Sequence, residues 1–532
     1  MKEHLRQRVF IPQHVAHLLA PLSLLCLALA GCTVGPDFVR PDAPANADYS
    51  REKLSTTAQA DIDTGGAAQR LIAGMDIPGQ WWALFRSPAL NALVEEALRA
   101  NPDVSAAQAA LRQANELVYA DQASLFPSVS GNVQKAREKV SGVTSGLPES
   151  PILTVSSASL SVSYAPDVFG GTRRQIEATS AQAEYQRFQL EATYLTLTAN
   201  VVNTAISLAS VRDQIAVTEE IIRLQGGQLD VLQAQRRLGA ISDADVLTQQ
   251  TALAQSRATL PPLQKQLAQT RNQLMAYLGR FPNQDQGERF NLASLQLPQA
   301  LPVSLPSDMV AQRPDVRSAQ AQLHQASADI GVAVANQLPQ FSITGSLGST
   351  VAGGTKLFSS GSGVWSLAGA ITQPLFDAGA LEHRKRAAVA AYDESAARYR
   401  GTVLTAFQDV ANALRALEAD ADALNQQVVA ERSAQASLDL VQAQFRLGAV
   451  AYINLLNAQQ TYQNTALARV RAQAARYSDT TALFQALGGG WWNRADVDPA
   501  KKGRPDRFGL PSWQEIMPAT KKPAPSDSAR FD

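Results

Sequence analysis

Cysteine is almost absent. In 532 residues only Cys26 and Cys32 occur, which excludes a disulfide framework and any zinc site built on thiolates. Charge of one sign is missing too. Lys plus Arg and Asp plus Glu both number 47, so no basic excess exists to neutralise phosphates, and a nucleic-acid partner is excluded. Histidine is scarce. Of five, His4, His14 and His17 lie at the extreme N-terminus, and only His324 and His383 remain, neither in a ligand-like cluster. No metal site and no cofactor is expected. No Walker A, HExxH or GxSxG sequence is present, so no enzyme is expected. Proline is missing from two long stretches, between Pro166 and Pro261 and between Pro374 and Pro499.

The N-terminus carries a targeting pattern. Lys2, Arg6 and Arg8 precede a short apolar stretch, Leu18–Ala30, which is too short to span a bilayer. It ends in Leu29-Ala30-Gly31-Cys32, which resembles the lipobox of bacterial lipoproteins. That resemblance implies a leader of residues 1–31 and a covalent lipid on Cys32. Thr33 follows, where Asp would favour inner-membrane retention, so outer-membrane sorting is expected. Cleavage would remove Lys2, Glu3, Arg6 and Arg8 and take the formal charge to −2.

What is abundant is repetition. Asn101-Pro-Asp-Val-Ser-Ala-Ala-Gln-Ala-Ala-Leu-Arg-Gln-Ala114 returns as Arg313-Pro-Asp-Val-Arg-Ser-Ala-Gln-Ala-Gln-Leu-His-Gln-Ala326, nine of fourteen positions identical at an offset of 212. Gln233-Ala-Gln-Arg-Arg-Leu-Gly-Ala240 returns as Gln442-Ala-Gln-Phe-Arg-Leu-Gly-Ala449 at an offset of 209, which also carries Leu278-Gly279 onto Leu487-Gly488. A near-constant offset over so long a span marks one duplicated unit. The copies occupy residues 81–300 and 301–492, after a linker over 32–80 and before a tail over 493–532.

Each copy reads the same way. From Trp81 the three-and-four spacing of Leu84, Leu90, Leu93, Val94 and Ala97 predicts a helix. Asn101 suits an N-cap with Pro102 at the first helical position, and a helix should run to about Ser124. Pro314 starts its counterpart, which should run to about Gln337. Pro127 and Pro339 end these helices, and period-two alternation follows. A hairpin is expected over about 127–165 and another over about 339–373. Two readings fit such alternation: a half-buried soluble sheet, or barrel strands facing lipid on one side. The polar face is nearly all Ser, Thr, Ala and Gly, which favours the barrel. Next come proline-free helices over about 173–237 and 379–446, each about 100 Å long at 1.5 Å per residue. Gly226-Gly227 weakens the first, but Gln435-Ala436 at the matching positions predicts continuity. Each ends at Arg-Leu-Gly, a C-cap signal, and a return helix follows, to 279 and to 488. Pro261-Pro262 is expected to break or kink the first return. Four strands cannot close a barrel, and lipid tolerates no open sheet edge. A closed oligomer is therefore expected.

The chain resembles outer-membrane efflux proteins of the TolC, OprM and NodT type, nearest the NodT branch. The likeness rests on Gly31-Cys32-Thr-Val-Gly-Pro-Asp37, Trp82 with Phe85, Asn101-Pro102-Asp103, Leu305-Pro-Ser-Asp308 with Arg313-Pro-Asp-Val316, Gln373-Pro-Leu-Phe-Asp-Ala-Gly379, both Arg-Leu-Gly turns, and Leu487-Gly-Gly-Gly490-Trp491. It implies a mainly α fold with a small β part. Long antiparallel helical hairpins would form an α-barrel, and four strands per chain would enter a 12-stranded barrel in a homotrimer. It implies a passive exit duct, docked to a periplasmic membrane-fusion adaptor and an inner-membrane RND pump. The rival readings are an outlet for an ABC-type exporter or type I secretion system, and a lipid-anchored coiled-coil protein with no channel. By the same resemblance Arg237, Leu238, Gly239, Arg446, Leu447 and Gly448 form the adaptor-docking tip. The gate falls at Ile453, Asn454 and Asn457, with Asp243 and Asp245 nearby. The family's acidic gate positions are asparagine here, so hydrogen bonding replaces charge.

Overall fold

A computed structural model describes residues 33–42, 48–49, 54–139, 141, 152–287, 290–303, 308, 311–353 and 357–494. The leader, Cys32 and the tail beyond Arg494 lie outside the described residues. Among the described residues seven helices and six strands follow in order: β1 Arg70–Ala73, α1 Pro88–Ala100, α2 Pro102–Ala123, β2 Ser128–Lys139, β3 Ile152–Tyr164, α3 Gly171–Arg237, α4 Asp243–Tyr277, β4 Ala300–Val303, α5 Pro314–Ala335, β5 Gln340–Ala352, β6 Gly363–Thr372, α6 Ala380–Arg446 and α7 Tyr452–Ala486.

The duplication is exact to the residue in helix length. α2 and α5 both have 22 residues, α3 and α6 both have 67, and α4 and α7 both have 35. Asn101 caps α2 by accepting from the N–H groups of Asp103 and Val104, and its amide donates to the Tyr277 carbonyl at the end of α4 (3.0 Å). Arg313 takes the same place in the second copy and donates to the Ala486 carbonyl at the end of α7 (2.9 Å). Each short helix is thus tied to the end of its return helix. Gly279 and Gly488 close the return helices with positive φ, and a Cβ on Gly279 would stand 2.5 Å from the Ala100 carbonyl oxygen.

α3 runs unbroken through Gly226-Gly227. Nothing lies within 4 Å of a Cβ built at either glycine, so no close approach requires them. Gly227→Ala is expected to stabilise the hairpin by about 1 kcal/mol, read as slower unfolding in denaturant; a loss of stability would reveal a packing role the geometry does not show.

α4 also runs unbroken through Pro261-Pro262, so of the expected break or kink the break does not occur. Both prolines sit on the exposed face of the helix, while Leu253, Ser256 and Thr270 are buried on the other. Carbonyls freed by the missing N–H groups can therefore turn to water, and packing against α3 holds the course. A second correction concerns Trp81. One helix does not run from it: a 3-10 turn spans Trp81–Phe85, Arg86 adopts φ 49, and Ser87 caps α1, accepting from the Leu90 N–H. The linker is more structured than its composition predicts. β1, within the linker, pairs in parallel with β4 at the junction of the two copies, and Thr56 bridges to Arg70.

The four long strands form one antiparallel sheet in the order β2-β3-β5-β6. Its register aligns one apolar face: Val129 opposes Val162, Leu160 opposes Leu347, Leu347 opposes Trp365, and Phe341 opposes Ile371. Ser161, Ser346 and Ser366 meet on the other face, where the last two hydroxyls lie 2.8 Å apart. The main core lies elsewhere, midway along the helices. Trp81, Phe85, Tyr477 and Phe484 are its centre, with Trp81 stacked on Phe484 at 5.3 Å.

Candidate docking tip and periplasmic constriction

The two long hairpins end in matching tips. In the first, the Gly239 N–H donates to the Arg236 carbonyl and the Ala240 N–H to the Gln235 carbonyl, both at 2.9 Å. In the second, the Gly448 N–H donates to Phe445 (3.0 Å) and the Ala449 N–H to Gln444 (2.9 Å). These are Schellman closures, and they need the left-handed backbone that Gly239 and Gly448 supply at φ 72. The turn throws the preceding leucine outward. Leu238 is 84% exposed and Leu447 85% exposed, with Arg237 and Arg446 exposed beside them. An apolar side chain flanked by a cation at each apex suits a protein partner rather than water.

Behind the tips the hairpins are joined. Leu232, Val246, Leu438, Tyr452 and Leu455 form one buried cluster drawn from both copies. The Tyr452 hydroxyl donates to the Gln249 side-chain oxygen, and the Gln249 amide donates to the Gln225 carbonyl (2.7 Å). Burial, and after it the nearby Asp245 carboxylate, push the Tyr452 pKa up to about 12. The phenol therefore stays protonated and keeps its donor role. Sequence reasoning missed this chain of contacts, although Tyr452 stands where the copies differ, opposite Asp243. Tyr452→Phe is expected to leave the fold intact and remove the hydroxyl link, costing about 1 kcal/mol and, in the exit duct that the resemblance implies, raising the open fraction in single-channel records. Unchanged gating would assign the tyrosine to packing alone.

The other residues singled out in the sequence divide in two groups. Asp245 completes a capping box with Ser242, and Asp243 forms an ion pair with Arg236 across the turn. Both carboxylates are thus engaged within their own tip. Ile453, Asn454 and Asn457 share the exposed face of α7, opposite buried Tyr452 and Leu455, and Ile453 is 51% exposed. The second turn has no side-chain N-cap.

At the far end the helices meet the sheet, and the N-terminal segment is clamped there. Arg174 is buried and donates to the carbonyls of Val34 (3.0 Å) and Gly35 (3.3 Å), to Asp37 (2.7 Å) and to Glu177 (2.7 Å). The Val34 N–H donates to the Phe169 carbonyl at 3.1 Å. His324 lies 2.9 Å from Glu177 and stacks on Phe38 at 4.4 Å. The residues immediately after Cys32 are therefore fixed just beneath the sheet.

The architecture has close parallels. The profile of the family described as "Outer membrane efflux protein" matches residues 93–280 and 305–489, one block per copy. The chain belongs to the outer membrane efflux protein family. It is similar to the "Probable efflux pump outer membrane protein TtgC" of Pseudomonas putida, 29% identical over 481 residues, covering 90% of this chain and 96% of that protein. It is also similar to the "Pyoverdine export outer membrane protein OpmQ" of Pseudomonas aeruginosa, 29% identical over 421 residues, covering 77% and 87%. Among solved structures, the outer-membrane channel OprN matches with a TM-score of 0.76 and 28% identity, over 86% of this chain and all of that one. The open state of the Neisseria gonorrhoeae MtrE channel matches with a TM-score of 0.73 and 25% identity, over 88% and 100%. This efflux protein therefore has the fold of the TolC-like channels, is an outer-membrane protein and is the outer-membrane component of an efflux pump.

Proposed function

We propose that three copies of this efflux protein close one passive duct, which receives small molecules from an inner-membrane RND pump through a periplasmic adaptor and catalyses nothing itself. One observation carries the reading. Among the described residues the sheet has an in-register apolar face and two free edges, β2 and β6. In lipid both edges must be paired, and the edge of one copy can be completed by the opposite edge of the next. Three copies give a barrel of twelve strands. Native mass measurement of the detergent-extracted protein tests this: three chains per particle are expected, and a folded monomer would overturn it.

Within that duct Arg237, Leu238, Gly239, Arg446, Leu447 and Gly448 dock the adaptor, and a lipid on Cys32 anchors the segment that Arg174 holds. Supporting the docking role is the exposure of Leu238 and Leu447. Replacing both by aspartate is expected to leave conductance unchanged and reduce drug export at least about tenfold, the effect of losing about 1.4 kcal/mol of docking free energy. Export at the wild-type level would remove the tip from the docking surface. Ile453, Asn454 and Asn457 form the constriction. Asparagine carries no charge, so millimolar divalent cations should leave the wild-type duct conducting. Introducing carboxylates with Asn454→Asp and Asn457→Asp is expected to make it cation-blocked, and an unblocked variant would place the constriction elsewhere.

A further inference from the structure

The two repeats meet inside the chain, and that seam shows what their outer sides lack. α5 packs on both α3 and α6, and α7 on both α6 and α3. Their counterparts α2 and α4 pack mainly on α3 alone. Burial follows: eleven residues of α5 are buried but two of α2, and fourteen of α7 but seven of α4. By the repeat, the neighbour that α2 and α4 lack is an α6. The outer side of α6 is open in turn. Nothing over residues 380–398 is buried, whereas the matching part of α3 buries Arg174, Ala178, Ala181, Ala183 and Phe188. One place on the α6–α7 hairpin is also unbalanced in charge. Asp420 and Asp479 stand carboxyl to carboxyl, within hydrogen-bonding reach, and the Asp479 Oδ2 is buried with no donor. Burial, and after it the hydrogen bond and charge of Asp420, push the Asp479 pKa up to about 7, and no cation is among the groups that act on it. The first repeat has uncharged Val211 and Thr270 at these positions, at the offset of 209.

The internal seam fixes what should face Asp420. α7 runs antiparallel along α3, and the Arg471 Nε donates to the Gln214 side-chain oxygen (2.9 Å). One turn on, Ala474 joins the buried cluster that holds Leu208 of α3. Stepping one turn from Gln214 and one from Arg471 therefore sets Ala474 level with Val211, on the facing sides of the two helices. Shifted by one repeat, Val211 becomes Asp420 and Ala474 becomes Lys265 of α4. Lys265 is exposed, and among the described residues it has no ion pair within its own chain. We propose that α4 of the next copy lies along α6 as α7 lies along α3, and that its Lys265 completes the Asp420–Asp479 pair. The inference rests on the proposed closed assembly and names the contact that holds one copy to the next. An ammonium has three donors and no acceptor, so one lysine serves both carboxylates and favours their charged forms. The two seams of the duct then differ at this level: uncharged within a chain, ionic between chains.

Two measurements on the full-length, detergent-extracted protein test the contact. With Lys265→Cys and Asp420→Cys together, a short bismaleimide is expected to link chains in series, up to three per particle, while Lys265→Cys alone stays unlinked. Lys265→Glu is expected to speed dissociation of the assembly about tenfold, as like charges then face each other between copies. Adding Asp420→Lys should return the rate to that of the wild type. An intact trimer that does not crosslink at these positions would overturn the proposal and leave the trimer standing. Crosslinking without any effect of Lys265→Glu would keep α4 on α6 but overturn the ion pair. A wild-type protein found only as a folded monomer would overturn both the contact and the closed assembly.

Discussion

Arg476→Ala is expected to lower the resistance of the protein to unfolding by about 3–5 kcal/mol, the combined effect of truncating a large buried side chain and orphaning the buried acceptors that it serves. The Arg476 side chain is fully buried. It donates to the carbonyls of Gly65 (2.9 Å), Ala58 (3.3 Å) and Ala67 (2.8 Å) and to the Thr57 hydroxyl (2.9 Å). Every partner lies in the linker, so one guanidinium shapes a segment whose composition alone would leave it loose. Alanine would orphan those acceptors in a dry site and leave a cavity, and each effect destabilises separately. The linker's own neighbours would loosen with it: Ala60 packs with Leu424 and Val428, and Gln69 donates to the Pro298 carbonyl and Thr480. Limited proteolysis between residues 54 and 69 should accelerate strongly in the alanine variant. Arg476→Lys keeps the charge but not the planar fork, and should recover only part of the protection. A protease pattern identical to the wild type would show that the linker is held by something other than Arg476.

The second large effect concerns the sheet. Leu367→Arg, on the apolar face, should cost about 2–4 kcal/mol per chain where that face meets the bilayer midplane. In the proposed trimer the cost enters three times, and heat-stable assembled protein should disappear from the outer membrane. Ala368→Arg is the control, because the neighbouring residue of a strand points to the opposite face. Ala368 opposes Thr344 on the small-polar side. That variant is expected to insert and to lower conductance by crowding the interior. If both variants assembled equally, the assignment of the two faces would be wrong. If only Ala368→Arg failed, the sheet would be turned the other way.

Leu367 and Arg476 differ in how far the amino-acid sequence announces them. Strand faces and helix lengths are legible, because periodicity is a local signal and proline and glycine punctuate it. The helix from Pro102, the passage through Gly226-Gly227 and both Arg-Leu-Gly turns follow from that grammar. The duplication strengthens each reading, since Gln435-Ala436 settles what Gly226-Gly227 leaves open. Pro261-Pro262 misleads, because a proline penalty is local, whereas long contact with α3 and an outward face for both rings outweigh it. Arg476 is not legible at all. Its partners are mostly backbone carbonyls some 410 residues away in sequence, and no side-chain pattern announces them. The pairing of β1 with β4 is hidden for the same reason, being a parallel contact of four residues between the linker and the junction of the two copies. At the tip, the exposed leucines are legible from the turn motif. The Tyr452–Gln249–Gln225 link is not, because it joins three helices that only the folded hairpins bring together.

We propose that this protein is a closed, multi-chain duct through the outer membrane. Conductance of the purified protein in a planar bilayer tests it most directly. The predicted result is discrete steps from a trimeric particle, low in the wild type and larger in Tyr452→Phe. A folded trimer that inserts into the bilayer yet passes no current, with or without that substitution, would contradict it.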